Sequence, residues 1–433
     1  MHNLKKRRRS DREMETQVRE CIKELVKFTL DSYVNGNLGF DLGLSKEFCV
    51  NLLMDDPVDP SPQYSSNTDS ADSLKGVPCY PLHRHLTSAL YHYIVLGEIC
   101  STHKCTMLMN EDVHLKQKKN GWNKLIVVGG SELVNVLKAI SCEFDVEEPF
   151  FSLFKDGQKT VEGRCAIGDH DRIKPGALIL LNKILVLEVQ NVYRYASFSE
   201  MLEAETLAKV LPGVNTVEEG VKVYRKFCPE EKESLNGVIA IHVSKVASQP
   251  YLSLATMFLG LSYGGVRNLL GLVQTAGTIS DGLPPPRSSL LSSFMLPFNP
   301  KVKGSVLTTG ARALMKHAER SSDRYWGGIL GNDYDKNRHA MEVISRLMSN
   351  CCWINVHIVP PHGVVFEIRV ASGYGARWSK DGNKVEIIFL MCHFSSLDFL
   401  SLTWMTVTQR DGSIEVRRDF AVGFLELHWS VLF

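Results

Sequence analysis

Within residues 148–164 the chain brings Lys159, Thr160, Glu162 and Arg164 together just after the dipeptide Asp156-Gly157. An ammonium, a hydroxyl, a carboxylate and a guanidinium this close in sequence suit two kinds of chemistry. Arg164 and Lys159 can hold a phosphate or a base edge, while Glu162 orients Arg164 or accepts from a base amino group. Alternatively, a lysine whose pKa is lowered by burial, with a hydroxyl in reach, can activate a nucleophile or a water. The same spacing also occurs in ordinary solvated Glu–Arg pairs that do neither.

Elements must position these groups. Asp-Gly is a strong turn dipeptide and ends the apolar segment 149–154, which reads as a short helix or strand. A strand starting at Lys159 would put Thr160, Glu162 and Arg164 on one face and Lys159 and Val161 on the other, because side chains alternate. Gly163, between the charged pair, allows a backbone or ligand to approach closely. Ile173-Lys-Pro-Gly176 then reads as a turn before strand 177–181, and 184–192 alternates as a second strand. Residues 198–207 are helical with Ser197 or Ser199 as cap, 217–227 is a further helix, and 237–243 is a short buried strand. Alternation of this kind predicts a small α+β unit with a partly closed sheet.

The pattern Gly157-x-Lys159-x-x-Glu162-x-Arg164, the Ile173–Gly176 turn, the helix following Tyr195 and the closing 239–243 strand resemble, in that order, the ASCH domain of the PUA-like superfamily. The resemblance covers residues 142–247. It implies an α+β fold with a small β-barrel flanked by helices, a cleft at the motif, and RNA as the partner. The motif positions carry over as Gly157, Lys159, Glu162 and Arg164. Some small bacterial members hydrolyse an acylated cytidine derivative through a lysine and a threonine beside the cleft together with a glutamate. Lys159 and Thr160 are the matching catalytic positions, and no glutamate is placed. Residues 203–228, an insertion similar to that of eukaryotic members, separate this chain from those compact enzymes.

A chain of 433 residues exceeds one ordinary core, so two or three folded units are expected. Lysines and arginines, 49, nearly cancel 48 acids. A net charge of +1 argues against gripping duplex phosphates over the whole surface and suits single-stranded or looped RNA bound in a cleft. No apolar run reaches membrane-spanning length and the basic start lacks a signal-peptide core, so nucleus or cytoplasm is the expected setting, with no membrane partner. Eleven scattered cysteines do not read as a disulfide framework. The segment 100–105 holds two cysteines and a histidine without a second ligand pair, so neither metal nor cofactor is expected.

The remaining plan follows composition. Residues 1–14 form a basic tail, carrying a run at 5–9 that suits nuclear import or nucleic-acid tethering. A helical pair at 15–54 precedes an acidic, Ser- and Pro-rich linker at 55–78, then a helical region at 79–141. After the ASCH-like unit come a helical and Pro-rich segment (248–300), a C-terminal α+β region (301–384) that is similar to part of larger plant proteins carrying the ASCH domain, and an apolar tail without clear period (385–433). Two cation–aromatic pairs suit unstacked bases: Arg324 with Trp326, and Arg377 with Trp378 in a glycine-permitted loop. His357 and His362 flank a hairpin turn as structural histidines. The helical regions without chemical constellations leave a protein-interaction scaffold, with protein partners, as a third reading.

Overall fold

The computed structural model describes residues 2–57, 75–96, 113–302, 306–318, 325–328, 330–360, 362–390, 403–410 and 413–420. Among the described residues four helices open the chain: α1 (His2–Val34), α2 (Lys46–Leu53), α3 (Leu82–Leu96) and α4 (Val113–Lys138). In α1 the residues Cys21, Ile22, Leu25, Val26 and Leu30 are buried, as their three- and four-residue spacing requires of an apolar stripe. The basic run at 5–9 lies in this helix rather than in a separate tail. Ser45 caps α2 by accepting from Phe48 N at 3.1 Å. The metal candidate at 100–105 lies outside the described residues. Among those that are described, no group of three metal-ligating side chains occurs and no helix is long and apolar enough to cross a membrane.

The central unit is a five-stranded sheet in the order β1-β3-β4-β5-β2. It consists of β1 (Ile140–Phe144), β2 (Val161–Cys165), β3 (Leu178–Leu181), β4 (Leu185–Tyr195) and β5 (Val238–Lys245). β1 pairs parallel with β3, and the other pairings are antiparallel. The sheet expected to be partly closed has β1 and β2 as its two edges, with no ladder between them among the described residues. α5 (Phe150–Lys155) fills the apolar segment before Asp156-Gly157, and Gly157 makes the turn at a φ of +75°. α6 (Phe198–Glu205), α7 (Leu207–Val210), α8 (Val217–Arg225) and α9 (Glu230–Asn236) are inserted between β4 and β5. Ser197 and Thr216 cap α6 and α8.

α10 (Pro250–Leu269) carries several glycines and is packed. A Cβ at Gly260 would stand 2.5 Å from Leu125 and one at Gly264 2.9 Å from Trp122, so these glycines let α4 come close. Ser262, at a φ of 51°, kinks the helix. The Pro284–Pro286 stretch is tied down, with Tyr80 Oη donating to Pro284 O at 2.7 Å.

α11 (Arg287–Met295), α12 (Thr309–Ala318) and α13 (Asp333–Asn350) cover one face of a four-stranded antiparallel sheet. That sheet runs β6 (Trp353–Val359), β7 (Gly363–Arg369), β8 (Tyr374–Ser379) and β9 (Val385–Leu390). The predicted hairpin across Pro360–Gly363 is present, with Val359 opposite Gly363. β9 falls in the stretch read as an apolar tail, and a further hairpin joins β10 (Thr403–Arg410) to β11 (Ser413–Phe420). The rest of that tail lies outside the described residues. One apolar core runs from α1 through the five-stranded sheet and α10 to α13, and a smaller one lies under α6 and α8.

Candidate nucleic-acid cleft

The cleft lies along β2, an edge strand. Val161, Gly163 and Cys165 turn toward α6 and α8, whereas Glu162 and Arg164 turn toward the end of β1, as alternation demands. A cavity of about 290 Å³ opens there, lined by Asp145, Phe150, Glu162, Arg164, Tyr224 and Phe227 among others. This is near the lower end of small-molecule sites, roughly 300–1,000 Å³. Phe198 and Tyr224 stack with ring centroids 4.5 Å apart and form an aromatic wall. Gly163 is needed for that wall: a Cβ there would stand 2.8 Å from Tyr224 Cζ and 2.7 Å from Met201 Cε. The close approach that Gly163 permits is thus that of Tyr224 and Met201.

Glu162 is 6% exposed and holds both cations. Lys159 Nζ lies 3.1 Å from its Oε2 and Arg164 Nε 2.9 Å from its Oε1. Lys159 therefore does not point away from Glu162 as strict alternation predicted, because β2 begins at Val161 and the residue before it is free to turn inward. Lys159 Nζ also donates to Val161 O at 2.8 Å and to Val210 O, and sits 4.9 Å from the Phe154 ring centroid. All three ammonium hydrogens have acceptors. Burial pushes the Lys159 pKa below its ordinary value, and Glu162 partly restores it. Burial, reinforced by Glu162, likewise holds the Tyr224 phenol well above its usual range.

Arg164 is the cation at the mouth. Its Nη2 donates to Asp145 O at 3.0 Å and its guanidinium lies 4.6 Å from the Phe144 centroid. Nη1 has no protein partner among the described residues. Gly157 and Thr160 do not line the cavity. Thr160 is half-buried and uses its backbone to join Lys209 and Val243. Cys165 and Cys228, both lining the cavity, form a disulfide that ties the end of α8 to β2. Nothing in their spacing announced the pair, just as the register of α8 did not say which strand its Tyr224 would cover.

The two cation–aromatic pairs come out differently. Arg324 lies outside the described residues. Trp326 is 1% exposed and packs edge-on to Tyr374, so it presents no face to a base. Arg377 and Trp378 sit in β8 rather than in a loop, point to opposite faces and are both 0% exposed. Trp378 belongs to the apolar face with Ile354, Val356, Phe366, Ile368 and Ala376. Arg377 belongs to a polar face that composition did not reveal, together with Asn355, His357, Glu367 and Arg369.

On that face one carboxylate gathers several cations. Arg377 donates to Glu367 Oε2 through Nε at 2.8 Å and Nη2 at 2.6 Å, and His357 Nε2 lies 3.2 Å from the same oxygen. Arg369 Nε donates to Oε1 at 2.6 Å. Burial opposes ionisation of Glu367, but the His357 hydrogen bond, Arg369 and Arg377 outweigh it and bring the pKa down to about 2. Arg267, at the end of α10, donates to Asn355 Oδ1 at 3.0 Å.

Residues 145–247 match the family model of the ASCH domain, and residues 299–385 match that of the CdiA C-terminal tRNase toxin domain. Among solved structures the chain is similar to the crystal structure of hypothetical protein PH0355. They are 42% identical over 24% of this chain and 98% of that one, with a TM-score of 0.24. It is also similar to the solution NMR structure of protein PF0455 from Pyrococcus furiosus, 42% identical over 24% of this chain and 97% of that one, with a TM-score of 0.23. No curated protein matches the chain.

Proposed function

We propose, from the match of residues 145–247 to the ASCH domain model, that the cleft along β2 binds single-stranded or looped RNA, taking one unstacked base at a time. The supporting observation is Arg164, held by Glu162 and Asp145 at the rim of an aromatic-walled cavity, with no acceptor for Nη1 among the described residues. A base enters against Phe150, Tyr224 and Phe227, and Arg164 meets its polar edge or the adjoining phosphate. Lys159 acts as a buried strut that fixes Glu162, since its hydrogens are already used within the protein.

The alternative amidohydrolase reading needs Lys159 and Thr160 together at the cavity. It is less well supported because Thr160 faces elsewhere and Lys159 is fully engaged. Direct RNA contact is tested by titrating a labelled unstructured RNA with the full chain. Arg164→Gln should weaken binding about tenfold, the worth of roughly one charge-assisted hydrogen bond, with the fold retained. Equal affinity in a folded Arg164→Gln variant removes the cleft assignment. Acetate release from acetylcytidine would move the reading to hydrolysis.

A second reading concerns the C-terminal unit. Its match to a tRNase toxin domain over residues 299–385, together with the buried polar face of its sheet, supports an RNA-cleaving activity in addition to binding.

A further inference from the structure

We propose that the Cys165–Cys228 disulfide is a redox switch on the cleft: oxidised, it holds the aromatic wall against β2 for RNA, and a dithiol reductant releases the wall and lowers RNA affinity. This rests on the RNA reading of the cleft and deepens it by naming how the site is regulated. The bond joins the two sides of the cavity. Cys165 ends β2, which carries Glu162 and Arg164, and Cys228 follows α8, which carries Tyr224. Both cysteines line the cavity together with those three residues and Phe227.

The wall depends on that bond more than on its other contacts. Phe227 N and Cys228 N both donate to Tyr224 O, at 3.0 and 2.9 Å, so the aromatic rings and the sulfur belong to one turn of chain. Phe227 is 57% exposed, so little burial fixes its ring at the mouth. Tyr224 meets β2 by packing over Gly163, and among the described residues no ion pair joins α8 to β2. The helix is anchored elsewhere: Tyr224 stacks on Phe198 of α6, and Arg225 pairs with Glu233 of α9, whose Oε1 accepts from Phe198 N at 2.7 Å. Opening the disulfide therefore keeps α6, α8 and α9 together and loosens the end of α8 against β2.

A reductant can reach the sulfurs from the cavity. Cys165 retains 9% exposure and Cys228 4%, on a wall that the cavity brings to solvent beside Arg164. Cys21, Cys49 and Cys351 contrast with them: burial pushes each of these thiols up to about 12, which keeps them protonated and slow to exchange. In a reducing compartment, the setting expected from the sequence, a disulfide that forms is as a rule redox-sensing or catalytic.

The exchange balances within protein and reductant. A thiolate of the dithiol attacks one sulfur, the bond between Cys165 and Cys228 breaks, and the departing sulfur takes a proton. The second thiol of the reductant then displaces the other cysteine from the mixed disulfide. Two cysteine thiols form, and the dithiol leaves as its own disulfide. By linkage, RNA that prefers the oxidised form makes the bond harder to reduce by the same factor.

The test uses the full chain and a labelled unstructured RNA, with the protein first air-oxidised and then reduced by dithiothreitol, and with thiol labelling to follow Cys165 and Cys228. Reduction should weaken RNA binding about tenfold, an ordinary coupling between two sites, and quicken amide exchange over residues 224–228 while β4 and β5 stay protected. Cys165→Ser should bind like the reduced chain with or without dithiothreitol. Saturating RNA should raise the ratio of reduced to oxidised dithiothreitol needed for half-reduction by the same tenfold. Equal affinity of folded oxidised and reduced chains overturns the switch, as does labelling that finds both thiols free after oxidation. RNA binding absent from both forms overturns the RNA reading, and the redox device is then decided by exchange at 224–228: faster on reduction, it stands, and unchanged, it falls.

Discussion

Arg164 Nη2 reaches the carbonyl of Asp145 at 3.0 Å, and this contact links the two unpaired edges of the five-stranded sheet. β2 carries the arginine and Asp145 directly follows β1, so one side chain does the joining that a backbone ladder does in a closed barrel. Arg164→Gln should leave β4 and β5 protected and raise amide exchange in β1 and β2 about tenfold, equivalent to one lost hydrogen bond to a charged group. Unchanged exchange in the edge strands would show that the bridge carries no stability.

Lys159 gives an unusual alkaline signature. Its pKa in the folded chain is lowered from 10.5, so between the folded value and 10.5 the unfolded chain binds more protons. The cost of burying the ammonium is full below the folded pKa and is relieved as pH rises toward 10.5. Urea unfolding of the central unit should therefore show stability increasing with pH in that window. Lys159→Met should flatten the increase and destabilise the central unit near pH 7, because the buried Glu162 loses one of its two cations.

Glu367 gives the opposite, acidic signature. Its pKa is lowered from 4.5 to about 2, so its stabilisation is fully present above 4.5 and lost as pH falls to about 2. The linkage is worth on the order of 3 kcal/mol. Trp353 packs on Arg369 and is 4% exposed, so its fluorescence reports this transition. In Glu367→Gln the acid transition should vanish, with about 3–5 kcal/mol lost at pH 7 because the buried guanidinia lose their partner.

The Cys165–Cys228 disulfide closes a loop with a sequence separation of 63. Chain-entropy reasoning gives it about 4 kcal/mol. Reductant should lower the unfolding midpoint of the central unit and leave the Glu367 acid transition in place. Cys165→Ser should reproduce the first effect and become insensitive to reductant.

Gly163→Ala adds a methyl where Met201 Cε and Tyr224 Cζ already stand within 3 Å. The wall must shift, at a cost of about 1–3 kcal/mol, and RNA affinity should fall with it. Gly157→Ala, in a turn open to solvent, strains only the backbone, so its unfolding midpoint should fall while affinity holds.

Periodicity revealed the helices and the turn chemistry. The stripe of α1, the Ser197 cap and the Asp156-Gly157 stop are local matters of spacing and side-chain reach, and all three were legible. Glu162 beside Arg164 was legible because a strand has period two. Lys159 was misjudged because one residue before a strand is outside that rule. Trp326 and Trp378 read as stacking platforms because composition does not say which face of an element meets the core. The Glu367 cluster was invisible for a related reason: its members lie on three strands, and strand pairing is not written in any single stretch of sequence. His357 and Arg377 were each read without knowledge of the carboxylate that joins them.

α10 leaves the sheet shortly after β5 and ends just before residues that pair with β6, where Val273 N donates to Ile354 O at 2.9 Å. Twenty helical residues span about 30 Å when straight, and Ser262 shortens this one. The helix is embedded in the shared apolar core along its length. It therefore acts as a caliper: the spacing between the five-stranded and the four-stranded sheet is set by one packed helix.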